Sequence, residues 1–308
     1  MPSIATLTLN PAIDGACDAQ AIQAVHKIRT TRERYNPGGG GINVARVAKR
    51  LGGDVLAIYL AGGMTGSLLN TLVDTCAVPR LCVDIADHTR ISLAVHETGT
   101  GREYRFVPEG PLVTETEWQA GLAILGQIDC DWFVLSGSLP RGVPEDFYVR
   151  AADAARRRGA KVIIDTSGPP LARALEAGGL FLVKPSLGEL EQLVGGSLSD
   201  PKVLAETSQA LVAKGGTRHL VVTMGRQGAL LVNAEGLLRL PAISVPVHST
   251  VGAGDSFLGA MTQALAGGQA VTEAFKVGLA GGSAAVMAPG NDLCHREDVE
   301  RLLAELRR

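Results

Sequence analysis

The stretch STVGAGDSFLGAM, Ser249 to Met261, sets three glycines and a carboxylate where an apolar segment turns into a helix. Gly252-Ala253-Gly254 can present free backbone N–H groups to an anion, and the dipole of the helix that follows adds positive potential there. A dinucleotide fingerprint would need glycine at position 257, where the chain has Phe257. Asp255 is the anomaly, because a carboxylate in an anion-binding loop repels phosphate unless it has a separate task. Accepting the proton of a hydroxyl that attacks the phosphate would be such a task. The competing role is a plain helix N-cap.

A second loop, PGGGGINVARVAKRLGG (Pro37–Gly53), runs four glycines directly into a helix with Asn43 on its first turn. Four glycines in a row cost chain entropy. They suit a backbone that must closely approach a ligand at a helix N-terminus, where one or two would make an ordinary turn. No Lys-Ser/Thr follows, so this is not a Walker A loop.

Around these loops, buried-strand patterns at Ile4–Leu9, Val55–Leu60, Trp132–Leu135, Val162–Ile164, Phe181–Val183 and Leu220–Thr223 alternate with helical patterns. The helices are expected at Ile42–Leu51, Thr114–Gln127, Pro144–Arg158 and Pro201–Lys214. Such alternation predicts an α/β fold with a mostly parallel sheet covered on both faces. Ala24–Tyr35 and Arg90–Phe106 are more polar and alternate with period two, predicting antiparallel strands outside the main sheet, as in a small lid. The C-terminal third, from Gly252, reads as mainly helical. One domain over 1–308 is expected, with lid segments at about 15–36 and 88–108.

The composition excludes several classes. Of 308 residues, 46% are hydrophobic and 19% charged, with a net charge of −2, so no global basic field attracts nucleic acid or anionic membrane. The basic run Arg156–Arg158 reads as a solvated helix face. Five scattered cysteines without a CxxC pair suggest reduced thiols in a cytoplasmic protein. No signal-peptide pattern opens the sequence. The uncharged run Ser256–Thr272 contains Gly267 and Gly268 and falls short of the ~20 apolar residues of a membrane span.

Six segments occur in the order found in one family: LTLNPAID, SGSLPRGVP, VIIDTSG, LVKPSLGELEQLVG, VVTMGRQGAL and STVGAGD. With the Gly-rich loop, they resemble the ribokinase-like (pfkB-type) carbohydrate kinases over nearly the whole chain. The resemblance implies a three-layer α/β/α sandwich with a small β lid. LTLNPAID is similar to the branch acting on phosphosugars. YNPGGGGINVARVAKRLGG, TRISLAVHETGTGREYRF and NDLC look most like its minor 6-phosphofructokinases.

By that resemblance, Asp255 is the catalytic base and Gly252, Ala253 and Gly254 form the anion hole. Asp14, Gly39, Gly40, Asn43 and Ser138 match sugar-binding positions. Arg90 and Arg105, in the lid segment, would hold the substrate's existing phosphate, which a planar guanidinium fork suits. Lys184, Thr223, Gly225, Gly228 and Ser283 match positions along ATP, and Lys27, on a lid strand, matches a contact to a second, inhibitory ATP. Glu189 matches the glutamate that orders magnesium, although the usual Asn-x-x-Glu reads Ser186-Leu187-Gly188-Glu189 here. Ser249, Val251, Ala285, Ala288, Gly290 and Asp292 match a potassium site built from carbonyls, Ala288 and Asp292 departing from the usual residues.

The implied activity is ATP-dependent phosphorylation of fructose 6-phosphate at C1, the glycolytic step to fructose 1,6-bisphosphate, in a homodimer joined through the lids. Tagatose-6-phosphate kinase and 1-phosphofructokinase are the rival activities. A non-catalytic sensor of sugar phosphate or nucleotide is the rival class, and the intact Asp255, Lys184 and Glu189 argue against it.

Overall fold

The computed structural model describes residues 2–307. The chain opens on β1 (Ile4–Thr8), buried at every residue, followed by β2 (Ala12–Ala19) and β3 (Thr30–Gly38). Next come α1 (Gly40–Arg50), β4 (Val55–Gly62), α2 (Gly63–Thr75), β5 (Arg80–Ile85), β6 (Arg90–Glu97) and β7 (Arg102–Phe106). The middle of the chain supplies α3 (Glu115–Leu125), β8 (Trp132–Ser136), α4 (Phe147–Arg157), β9 (Lys161–Asp165), α5 (Gly168–Ala177) and β10 (Leu180–Val183). After α6 (Leu187–Val194), α7 (Pro201–Ala213) and β11 (Thr217–Thr223), a hairpin of β12 (Ala229–Asn233) and β13 (Gly236–Leu240) leads to α8 (Ala253–Ala266), α9 (Val271–Ala285) and α10 (Arg296–Leu306).

The main sheet has the order β13-β12-β11-β10-β9-β8-β1-β4-β5. It is parallel from β11 to β5, with β12 and β13 added antiparallel. Its strands are near-continuously apolar because both faces are covered. Val134 and Ile163 point to the face packed by α1, α2, α8, α9 and α10; their neighbours Phe133, Leu135, Val162 and Ile164 point to the face packed by α3, α4, α5, α6 and α7. The three-layer α/β/α architecture of the ribokinase-like fold is therefore present.

Strand order reverses beside β1, which pairs with β8 on one side and β4 on the other. That is where an open α/β sheet leaves a crevice beyond its strand ends. Among the described residues, no helix is long and apolar enough to cross a membrane.

The second sheet has four strands in the order β3-β2-β6-β7. It differs from the sequence expectation in two ways. First, β2, which the period-two reading of Ala24–Tyr35 did not isolate, is central and runs parallel to β6, so the sheet is not purely antiparallel. Second, residues 24–29 are turn and irregular backbone, and the strand starts only at Thr30. Val25 sits fully exposed at φ +67, which a β-branched residue rarely adopts in a strand. Lys27 thus lies on this exposed loop and not on a strand.

Candidate active site

The leading turn of α8 carries Asp255, and its first amides lack intrahelical acceptors. Gly252 caps that helix at φ +73, and a Cβ there would come within 2.4 Å of Leu293 Cδ2, so only glycine fits. Asn43, on the first turn of α1, donates its side-chain amide to Asp255 Oδ2 at 2.8 Å, joining segments 212 residues apart. Burial pushes the Asp255 pKa above its ordinary value, while the Asn43 hydrogen bond and the charges of Lys184 and Arg46 act in the opposite direction. Desolvation is thus the largest influence on this carboxylate.

Lys184, at the end of β10, is 4% exposed. Its Nζ lies 3.1 Å from Asp165 Oδ1, at the end of β9. A Cβ on Gly254 would lie 3.6 Å from that Nζ, so the ammonium borders the N-terminus of α8. Burial opposes the charge on Lys184, but Asp165, Asp255 and Glu189 together outweigh it and the net pKa is raised. Burial also pushes Asp165 up to about 6, with Lys184 opposing and Asp255 and Glu189 adding to the shift.

The four glycines of the second loop have a packing reason beside the one their sequence suggested. Added Cβ atoms would approach Asp14 Oδ2 at 2.2 Å from Gly38, Thr8 Cγ2 at 2.7 Å from Gly39, Ser136 Oγ at 2.2 Å from Gly40 and Leu7 O at 2.6 Å from Gly41. The loop is pressed against the ends of β1 and β8 and against a carboxylate, so close packing alone demands glycine. Gly39 thereby lies against Thr8 of β1 and Gly40 against Ser136 of β8.

Beneath the small sheet lies a cleft of about 540 Å³ whose lining includes Asp14, Arg34, Arg105, His96, Ser249 and Asn291. Asp14 accepts a hydrogen bond from the Asn291 side chain at 2.5 Å. Burial, and then the nearby charge of Asp255, raises its pKa to about 6 against the pull of Arg46, Arg90 and Arg105. Arg105 is exposed on β7. Arg90 is placed otherwise: Nη1 donates to Pro108 O and Nη2 to Asn10 O, both at 2.9 Å. Ser138 Oγ accepts from Asn10 Nδ2 at 3.2 Å.

The positions matched to ATP follow the ends of β10 and β11. Thr223 donates its N–H to Pro185 O at 3.1 Å. Gly225 stands at φ +54, and Gly228 is pressed so tightly that a Cβ would come within 2.0 Å of Leu240 O. Ser283 is buried on α9. Glu189 accepts from the Ser186 N–H at 2.7 Å, and Ser186 Oγ accepts from the Glu189 N–H at 3.3 Å, a reciprocal cap on α6. One Glu189 oxygen thus serves the helix.

No cluster of three or more His, Cys, Asp or Glu side chains with metal-site geometry occurs among the described residues. Asp165, Glu189 and Asp255 nevertheless interact electrostatically around Lys184. Such hard oxygen donors fit a divalent ion held through water. In the potassium set, Ser249, Val251 and Gly290 line the cleft. Asp292 does not suit a cation: its carbonyl accepts from Arg50 Nη1 at 2.5 Å, and its carboxylate pairs with Arg50 and His295.

Asp165, Arg34, Arg46 and Asn291 escaped the sequence reading as individual residues. Asp165 had a usable signal, a lone acid ending the buried strand VIID. Asn291 stands in the quoted NDLC, but its partner Asp14 is 277 residues away.

Comparison with known proteins places this geometry. A model of the pfkB family carbohydrate kinases matches residues 7–298. The ATP-dependent 6-phosphofructokinase isozyme 2 of Mycobacterium tuberculosis is 41% identical, covering 97% of this chain and 88% of that one. Solved structures of the phosphofructokinase-2 from Escherichia coli, one with potassium and one with fructose-6-phosphate, superpose with TM-scores of 0.96 and 0.94 at 40% and 39% identity, covering all of both chains. With its sequence and its fold agreeing, the chain belongs to the pfkB family of carbohydrate kinases.

Proposed function

We propose that this kinase transfers the terminal phosphoryl group of ATP to the C1 hydroxyl of fructose 6-phosphate, giving fructose 1,6-bisphosphate and ADP. The observation that carries the reading is Asp255 on the leading turn of α8, oriented by Asn43 and coupled by charge to Asp14 in the cleft. The whole chain acts as one kinase unit, with the small sheet as its lid.

Asp14 accepts hydrogen bonds from sugar hydroxyls, and Arg105 holds the 6-phosphate from the lid. Asp255 takes the proton of the C1 hydroxyl as that oxygen attacks the γ-phosphorus and the bond to the ADP oxygen breaks. The amides of Gly252, Ala253 and Gly254 stabilise the charge on the transferring group, and Lys184 adds a buried cation beside them. Phosphoryl transfer gains most from positioning and charge, which these groups supply. Glu189 and Asp165 would hold Mg2+ through water, and the ion would neutralise charge on the phosphates. Potassium would lie among the carbonyls of Ser249, Val251, Ala285, Ala288 and Gly290, leaving out Asp292.

The assembly is a homodimer joined through the lids. Cross-strand register puts Tyr35 and Leu93 beside Gly15, and Phe106 beside Leu93, so these residues share one face of the small sheet. Tyr35 is 51% exposed and Phe106 55%, an apolar surface that a second copy would cover. Phe106→Asp is expected to shift the protein from dimer to monomer in analytical ultracentrifugation. An unchanged sedimentation coefficient would place the interface elsewhere.

The activity is tested by kcat/KM on fructose 6-phosphate, tagatose 6-phosphate and fructose 1-phosphate with ATP and Mg2+. Fructose 6-phosphate should be the best substrate. Preference for either rival sugar overturns the substrate assignment, and no turnover on any of the three overturns the kinase reading.

A further inference from the structure

Arg46, on the second turn of α1, is 3% exposed and makes no ion pair among the described residues. Burying a guanidinium without a carboxylate beside it is costly, and here burial presses its pKa down. Its hydrogen bonds tie α1 to the end of β3 and to the distant segment of Asn291. Nη1 donates to Pro37 O, near the end of β3, at 2.9 Å and to Asn43 Oδ1 at 3.0 Å, and Nη2 reaches Asn291 O at 3.5 Å.

Arg46 holds Asn43 by its side chain and Asn291 by its backbone carbonyl, and each asparagine reaches an acid. Asn43 Nδ2 donates to Asp255 Oδ2 and Asn291 Nδ2 to Asp14 Oδ2. A guanidinium has only donors, so the Asn43 carbonyl oxygen must face Arg46, which forces its NH2 group toward Asp255. We propose that Arg46 is a positioning residue that aims Asp255 and Asp14 together, through Asn43 and Asn291, and so ties the proton acceptor to the sugar-binding carboxylate.

Lysine cannot reproduce this, because one ammonium lacks the fork that spans three acceptors. The charged groups that also bear on the two acids are Lys184 and Glu189 for Asp255, and Arg90 and Arg105 for Asp14. Asp14 and Asp255 also repel each other. Arg46 is the cation common to both.

The inference rests on the proposed kinase reading, so its test has one arm without turnover. In ligand-free protein, 13C-carboxyl NMR titration of Asp14 and Asp255 should show both midpoints rising in Arg46→Met and staying near wild type in Arg46→Lys, which keeps the charge. In steady-state kinetics, both variants should lose about 10- to 100-fold in kcat and raise KM for the phosphosugar, with KM for ATP held within about twofold.

Unmoved carboxyl midpoints in Arg46→Met, or near-normal kcat in Arg46→Lys, overturn the proposal. So does a variant whose only change is a lower Tm, since that marks a purely structural residue. If Arg46→Met does not fold, Arg46→Lys decides through its kcat. An inactive wild type refutes the kinase reading, and the titration then still decides what Arg46 does.

Discussion

Asp14 shows at the scale of one residue what burying a carboxyl costs the fold. Its carboxyl titrates near 6 instead of 3.8 because burial and the charge of Asp255 disfavour the ionised form. A raised folded-state pKa means that the native protein binds the proton more tightly than the unfolded chain does. The stabilisation this provides is complete below the ordinary value near 3.8 and is lost as pH rises through about 6. Asp14→Asn should therefore stabilise the ligand-free protein by about 1–3 kcal/mol at neutral pH and far less near the acid end of that window. Urea unfolding of both proteins across the range checks this, and equal stability at neutral pH would contradict it. Asp255 was legible in the sequence because a carboxylate beside Gly-Ala-Gly has few other uses. Arg46 was not, because its acceptor on Asn291 lies 245 residues away and an isolated arginine on a helix pattern reads as solvated surface.

At the scale of elements, the loop before α1 is set by contact with the protein itself. The Gly41 amide region passes so close to β1 that a methyl group would lie 2.6 Å from both Leu7 O and Thr8 Oγ1. Gly41→Ala should then cost about 1–3 kcal/mol by overpacking and displace the start of α1, lowering kcat with it. A variant with wild-type urea midpoint and kcat would show that the loop has slack. The central parallel strands were legible as unbroken apolar runs of the right length. The edge strands β5 and β13 were not, since each is only half-buried and carries arginine. Nor was β2, whose sequence AIDGACDA is short of β-branched residues and gains its strand form from β3 and β6 on either side.

At the scale of the molecule, the site exists only because the sheet reverses its order beside β1. Asp14 comes from β2, Asn43 from α1, Asp165 and Lys184 from adjoining strand ends and Asp255 from α8, and no two of these elements are joined by a short turn, β9 and β10 being linked through the helix α5. The family order of motifs made the assembly readable in outline, while the relays that orient each acid required the folded chain. The central claim is that Asp255 removes the proton from the attacking hydroxyl. The most direct measurement is kcat for Asp255→Asn beside calorimetric affinities for ATP and fructose 6-phosphate. Retained binding with a loss of about 10²-fold or more in kcat is the predicted result, and near-normal turnover would contradict it.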